Sequence, residues 1–438
     1  FSCLDSPTLT AAMVGMYASV YVDGNPTPTN NQYTNALITA YDNTAKTLTL
    51  STTIRSLYGT GAADGTANRT IKVGGAWAGP ATTVGFPFNF ITSANTNSDG
   101  TATARVNLNG TFNITAAMVQ SLAGPLIFEG YTTTAGDGGR AIIDGGTTGA
   151  SYILFTFTGA DCEYVDLTFQ NNGATGSATG LSVATGTRQS LKNVVVNSVR
   201  GIGIAMTSSN SDYDSCEAYA CNQSNTANAA GFSLGSGSML RNCIAHDNTG
   251  SNTYGMRTST TATLVGCIFD SNGNDGIRHD NNSSQGTLTL IGCDFYNNGG
   301  DGLDLVSAAI GRVEIINSNF CNNGDWGING SGTGAQVGRI LNCGFGSGTA
   351  ANTSGATTGL KSIQNIGAVT YAADAIPWNA PTTGDFSIVL AAARGTGSGV
   401  FTQTQASYTG TVSKPDIGAA QHIDTPLLTT RRNTLIGR

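Results

Sequence analysis

Charge is scarce in this chain: Asp, Glu, Lys and Arg together make up only 11% of its 438 residues. With a net charge of -7 and a pI near 4.9, it lacks the clustered basic excess that a general nucleic-acid surface needs. Lysine is rare, so the positive charge is nearly all arginine. Long apolar runs are missing too, and no stretch approaches the roughly 18 residues required of a membrane-spanning helix. The sequence therefore predicts neither a nucleic-acid partner nor a membrane span. Also absent are a P-loop, a dinucleotide-binding glycine fingerprint, zinc-ligand spacing and a Gly-x-Ser-x-Gly elbow, which removes the commonest nucleotide, metal and serine-hydrolase chemistries. The chain begins at Phe1 with neither an initiator Met nor a signal peptide, and the expectation is of an upstream segment removed or left out.

What is plentiful is glycine, at 59 residues, together with Asn, Ser and Thr, while the aliphatic content still suffices for a continuous core. That profile suits an all-β secreted or virion protein. Length does not count domains here if the architecture is a solenoid, which grows by adding coils.

A repeat supports that architecture. Asp-Ser-Cys216, Arg-Asn-Cys243, Val-Gly-Cys267, Ile-Gly-Cys293, Ile-Asn-Ser318 and Leu-Asn-Cys343 recur at intervals of 27, 24, 26, 25 and 25 residues, and Leu167 and Val194 extend the column backwards. Two residues beyond each member stands an apolar residue: Phe169, Val196, Ala218, Ala245, Phe269, Phe295, Phe320 and Phe345. This is strand alternation. Five residues beyond the column comes Asn in most coils, at Asn172, Asn248, Asn272, Asn298 and Asn323, where a bend is expected because Asn tolerates left-handed backbone and bonds to neighbouring backbone. A Gly followed by an apolar residue then opens another strand, from Gly180-Leu181 through Gly203-Ile204, Gly231-Phe232, Gly255-Met256, Gly276-Ile277, Gly302-Leu303 and Gly327-Ile328 to Gly359-Leu360. Three registers in step, with no helical pattern, leave a parallel β-helix or a leucine-rich repeat, and the leucine-rich consensus is absent. Roughly eight stacked coils follow, with Cys, Phe and Asn ladders at the parallel strand spacing of about 4.8 Å. The Cys column is expected to be buried and reduced, acting as a small hydrophobe, with Cys3 and Cys162 off it.

From about Ile142 to Gly359 the chain resembles the pectate-lyase-like right-handed parallel β-helix superfamily. In particular it resembles the short Asn-x-Gly-x-x-Gly-Ile coils of bacterial secreted and phage virion proteins, as in Asn272 to Ile277 and Asn298 to Leu303. The resemblance implies an all-β solenoid; it implies no single activity, because the superfamily includes lyases, hydrolases, adhesins and inert virion parts. The expected division is 1–140 as a β-rich N-terminal cap or assembly domain, 141–365 as the β-helix, 366–422 as a small C-terminal closing module and 423–438 as a tail or docking arm. Within the first of these, Ala18 to Asp23, Leu37 to Tyr41 and Thr47 to Thr52 read as strands, and Thr8 to Gly15 as a short helix or turn.

The candidate chemistry lies beside the Gly-apolar register. Asp275 and Asp301 both precede that Gly, so they stack; two carboxylates at such spacing could act as an acid and base pair or share a Ca²⁺. Asp280, Asp304 and Asp325 are near in sequence, and Arg257, Arg278 and His279 supply positive charge, His279 being read as a surface residue. The plainer reading is turn chemistry, with Arg278 and Asp304 in one column as an interstrand ion pair. Tyr254 and Trp326 could offer aromatic faces and Arg278 a charge to a glycan. No metal site is assigned, and no cofactor is expected unless the carboxylates take Ca²⁺. The lyases of the superfamily show Arg or Lys bases beside several Asp; this chain has Arg278 but no Lys between 193 and 360 and no dense Asp cluster in sequence, and polygalacturonase motifs are absent. The expectation is an extracellular or virion-associated structural and adhesive protein, of spike, fibre or capsid-surface type, assembling with other subunits as a homo-oligomer, virion or filament part. A polysaccharide depolymerase and an extracellular filament or surface-layer subunit are the alternatives.

Overall fold

The computed structural model describes residues 104–346, apart from 121–125, 134–135, 160, 184–188, 208–209, 281–285, 307–311 and 331–336, and, outside that span, residues 17–22, 33–50, 69–74, 76–78, 364–366, 369–370, 378–380 and 385–388. Every regular element among them is a strand, and no helix is long and apolar enough to cross a membrane. Three parallel sheets of eleven, nine and twelve strands form the body, each strand bonding to its counterparts one coil before and one coil after. A single coil runs through all three: Ala262–Val265 in the twelve-stranded sheet, Ile268–Asp270 in the eleven-stranded, and Ile277–His279 in the nine-stranded. This is the right-handed parallel β-helix expected from the repeat.

The eight apolar positions from Phe169 to Phe345 pair in register along the eleven-stranded sheet. The stack continues past them at both ends, through Ile143 and Phe112 on one side and Thr370 on the other. The strands Ala104–Asn109, Thr111–Asn113, Met118–Gln120 and Leu126–Tyr131 thus already lie in the parallel sheets, ahead of the boundary expected at 141. These coils fill the inward positions with Phe112, Met118 and Phe128 but carry neither Cys nor the ladder Asn, so no repeat betrayed them. Further upstream, Tyr17–Val22, Tyr33–Asp42, Thr47–Leu50 and Arg69–Gly74 form an antiparallel sheet that includes the three strands read from sequence. Towards the C-terminus Trp378–Ala380 pairs antiparallel with Asp385–Ile388. Cys3, Thr8 to Gly15, Gly359-Leu360, Lys414 to Gln421 and the tail 423–438 lie outside the described residues.

Each column settles into the geometry its chemistry allows. The rings of Phe269, Phe295, Phe320 and Phe345 stack at centroid distances of 5.2, 4.5 and 5.5 Å, with interplanar angles of 16° or less. Cys216, Cys243, Cys267, Cys293 and Cys343 are all buried and free. Each thiol also points at a carbonyl of the preceding coil, such as Leu191 O from Cys216 at 3.4 Å and Tyr213 O from Cys243 at 3.5 Å. Ser318 takes the same place with a hydroxyl that bonds Ile316 O at 3.1 Å and accepts from Cys293 N at 3.1 Å. Burial pushes the Cys343 thiol up to about 12. Cys162, Cys221 and Cys321 are likewise buried and form no disulfide.

The corners differ from the sequence reading. The left-handed residue is the one before each ladder Asn, Ser271 (φ 53°) and Asn297 (φ 55°) for example, while Asn272 and Asn298 turn inward. There they bond head to tail: Asn248 Nδ2 to Asn272 Oδ1 at 2.8 Å, Asn272 to Asn298 at 2.8 Å and Asn298 to Asn323 at 2.9 Å. Val199 and Cys221 hold the same place in their coils, which separates Asn172 from this run. A second left-handed corner precedes the Cys column, at Ser215, Asn242, Gly266, Gly292, Asn317 and Asn342, which explains the Asn or Gly in front of most members.

Removing one ring from the middle of the Phe stack leaves a cavity that neighbours fixed by two sheets cannot close. Phe295→Ala should cost about 3–5 kcal/mol, read as a lowered denaturant midpoint; an unchanged midpoint would show that the stack is not what holds these coils. The thiol column should resist alkylation by iodoacetamide in the folded protein and react fully in denaturant, with mass spectrometry as the readout.

Candidate functional site

The outer face of the nine-stranded sheet carries two polar rows. Tyr254, Asp275, Asp301 and Trp326 stand one residue before the register glycines. Ser233, Arg257, Arg278, Asp304 and Asn329 pair across strands Ala229–Leu234, Thr253–Thr258, Ile277–His279, Leu303–Leu305 and Ile328–Asn329. Glycine is needed between the rows because coils approach closely there: a Cβ at Gly276 would lie 2.7 Å from Gly302 O.

Asp275 and Asp301 do stack, each capping the coil that follows. Asp275 Oδ1 accepts from Asp301 N at 2.9 Å, and Asp301 Oδ1 accepts from Trp326 N at 2.8 Å. Asp301 Oδ2 accepts from Asn329 Nδ2 at 2.8 Å. Turn chemistry therefore accounts for part of what these carboxylates do. It does not account for Asp304. That residue is only 9% exposed, its Oδ1 is buried with no hydrogen-bond partner, and oxygens of Asp275, Asp301 and Asp304 all lie within 4.8 Å of one another. The dense Asp cluster missing from the sequence is thus assembled by the fold from two coils.

The ion pair expected between Arg278 and Asp304 does not form, although the two are register partners. Arg278 turns to the preceding coil instead, where Nη1 donates to Tyr254 Oη at 2.6 Å and the guanidinium lies 5.1 Å from the ring centroid. Its Nε is 3.7 Å from Asp280 Oδ2, the same oxygen that Arg257 grips through Nε at 3.0 Å and Nη2 at 2.9 Å. One carboxylate thus draws both stacked arginines away from Asp304. Tyr254 is consequently buried under Arg278 rather than presented as an aromatic face, and only Trp326 of the two aromatics keeps partial exposure.

Burial pushes Asp275 up to about 7; its bond from Asp301 N opposes this, and the charges of Asp304 and Asp301 add to it. Burial likewise lifts Asp304 to about 7, with the negative charge of Asp301 adding and Arg278 opposing. Asp301 moves in the same direction, chiefly through burial. Like charges crowded in a poorly solvated place hold protons that isolated carboxylates would release. His279 belongs to the interior, contrary to its reading as a surface residue: it is 0% exposed, two residues after inward Ile277, with both ring nitrogens unbonded. Burial drives it down to about 4, so it is neutral and cannot serve the outer face.

Residues 152–320 match the family model described as "Right handed beta helix region". No curated protein matches the chain. Among solved structures, pectate lyase Pel9A is similar at 17% identity, over 74% of this chain and 89% of that one, with a TM-score of 0.49. ORF18 of Geobacillus virus E2 is similar at 13% identity, over 63% and 55%, with a TM-score of 0.45. The A-module of the mannuronan C-5 epimerase AlgE6 of Azotobacter vinelandii is similar at 13% identity, over 68% and 89%, with a TM-score of 0.43. Likenesses of this size assign no activity. Repeat, sheet topology and family match agree on one statement: the coils of this chain are those of a right-handed parallel β-helix.

Proposed function

We propose that the chain is an extracellular or virion-associated β-helix that recognises a cell-surface glycan on its nine-stranded sheet, with Asp275, Asp301 and Asp304 at the centre of that surface. The observation that carries this reading is the buried carboxylate trio with Asp304 Oδ1 unpartnered. A fold has no use for an unsatisfied buried oxygen, whereas a hydroxyl-rich ligand supplies the missing donor. Arg278, Asn329 and Trp326 border the trio, and a stacked solenoid holds them rigidly. Other subunits of a homo-oligomer, virion or filament complete the proposed setting.

The donor set also fits Ca²⁺, being all oxygen, with Asp275, Asp301 and Asp304 as the residues that would hold it and Asp304 Oδ1 free to do so. A bound cation would neutralise the trio and orient a glycan's oxygens.

A second reading is a polysaccharide depolymerase, lyase or hydrolase. The elevated carboxyls of Asp275 and Asp304 favour it, because a proton held near pH 7 beside another carboxylate is what paired acid and base chemistry requires.

Both readings meet one experiment on a panel of bacterial surface polysaccharides. The protein should be retained by at least one of them, and the Asp301→Asn/Asp304→Asn double variant should not. Retention unchanged in the double variant would remove the site from the reading. Reducing-end or unsaturated products, lost in Asp275→Asn/Asp301→Asn, would select the depolymerase.

The trio also predicts a pH dependence. Its raised groups keep protons in the folded state that the unfolded chain releases above about pH 4. Stability therefore declines as pH rises towards and through 7. His279 acts the other way, costing stability as pH falls below its unfolded value of about 6.5. In chelator, Asp304→Asn should raise Tm over the parent protein more at about pH 8 than at about pH 5. Ca²⁺ at the higher pH should raise the parent's Tm and leave the variant's alone. An equal difference at both pH values would mean that Asp304 carries no displaced proton.

A further inference from the structure

Three successive corners after strands of the eleven-stranded sheet, at 272–273, 298–299 and 323–324, each require two particular residues in succession. The first must bring an amide into the ladder. Asn298 Nδ2 donates to Phe269 O at 3.0 Å and to Asn323 Oδ1 at 2.9 Å, while its Oδ1 accepts from Asn272 Nδ2 at 2.8 Å and Asn272 N at 3.2 Å. Both donors and both acceptor sites are in use. The second must be glycine, because a Cβ at 273, 299 or 324 would lie 2.2, 2.5 or 2.0 Å from the carbonyl oxygen of the glycine one coil before. The fold thereby dictates Asn272-Gly273, Asn298-Gly299 and Asn323-Gly324. In an open chain this dipeptide is the most prone to deamidation, since an unhindered glycine nitrogen readily reaches the Asn Cγ.

The same stacking that demands the pair blocks its reaction. Gly273 N donates to Asn248 O at 2.9 Å, Gly299 N to Asn272 O at 2.8 Å and Gly324 N to Asn298 O at 2.7 Å. The attacking nitrogen is engaged with one coil, and the amide it would attack is bonded to coils on either side.

We infer that the ladder is a latched modification site: Asn272, Asn298 and Asn323 stay inert while the coils are stacked and convert to acidic residues once the coils part, so an opened chain loses the ability to restack. The chemistry needs only water. The glycine nitrogen bonds to Cγ, the Cγ–Nδ2 bond breaks, and ammonia leaves with the glycine proton. Water then opens the imide at either carbonyl, giving Asp or isoaspartate. At position 298 a carboxylate has no donor for Phe269 O or Asn323 Oδ1 and sets a buried charge against two acceptor oxygens. Isoaspartate adds a carbon to the backbone at a corner with no room for it.

The test uses the full chain, incubated at mildly alkaline pH either folded or in denaturant, with peptide mass mapping of each Asn-Gly pair against time. The three ladder sites should deamidate together in denaturant. In the folded protein they should react about a thousandfold more slowly or less, the ratio being set by the unfolded fraction. On dilution from denaturant, the refolded fraction should fall in step with the loss of intact ladder. Ladder sites that react in the folded protein at the denatured rate would overturn the latch. Chains that refold fully with a deamidated ladder would overturn its one-way character.

Discussion

Each inward side chain of the described coils must fit against the inward side chain one strand spacing away, about 4.8 Å along the axis, and the rest of the described structure follows from that requirement. Aromatic rings meet it by lying face over face, as from Phe269 to Phe345. Thiols meet it because they are small and can turn to a carbonyl of the coil before. A carboxylate could not, since it only accepts. The carboxamide of Asn both donates and accepts, so one rung satisfies the next without limit. The backbone complies through two left-handed corners per coil, filled by Asn, Ser, Asp or Gly and, at position 220, by Ala.

On the outer face the same stacking brings like charges together, and the structure shows how each clash is relieved. Arg257 stands beside Arg278, and Asp280 serves both as counterion. Asp275 stands beside Asp301, and backbone amides of the following coils satisfy an oxygen of each. Asp304 has no such relief. Its arginine has been drawn to Tyr254 and Asp280, and its nearest charged neighbours are carboxylates. Burial is the first cause of the trio's raised carboxyls, and the guanidinium that opposes it is directed to Tyr254 and Asp280.

The solenoid was legible because its columns recur every 22 to 27 residues from Leu167 to Cys343 and stay in step with one another, and coils that fill the core without Cys or Asn, such as those of Phe112 and Phe128, were invisible for the complementary reason. Asp275 and Asp301 could be paired in sequence because both precede a register glycine. Asp304 could not be added, since register alone matched it to Arg278, and the side-chain direction that separates them depends on Tyr254 in another coil. Two signals were present and missed. His279 follows inward Ile277 by two residues, which places it inside by alternation, and the Asn or Gly before Cys243, Cys267, Cys293 and Cys343 marks the left-handed corner directly.

The polar row from Tyr254 to Trp326 crosses four consecutive coils, so its ends are separated by three strand spacings, about 14 Å along the axis. Lateral placement across the sheet and axial placement along it are set independently, the first by position within a coil and the second by which coil a residue occupies. The β-helix therefore behaves as a ruler. Inserting one whole coil between Arg278 and Asp301 would lengthen the site by one fixed graduation, moving its charged ends apart and replacing the bonds across that one junction, such as that from Asp301 N to Asp275 Oδ1, while every other junction keeps its bonding.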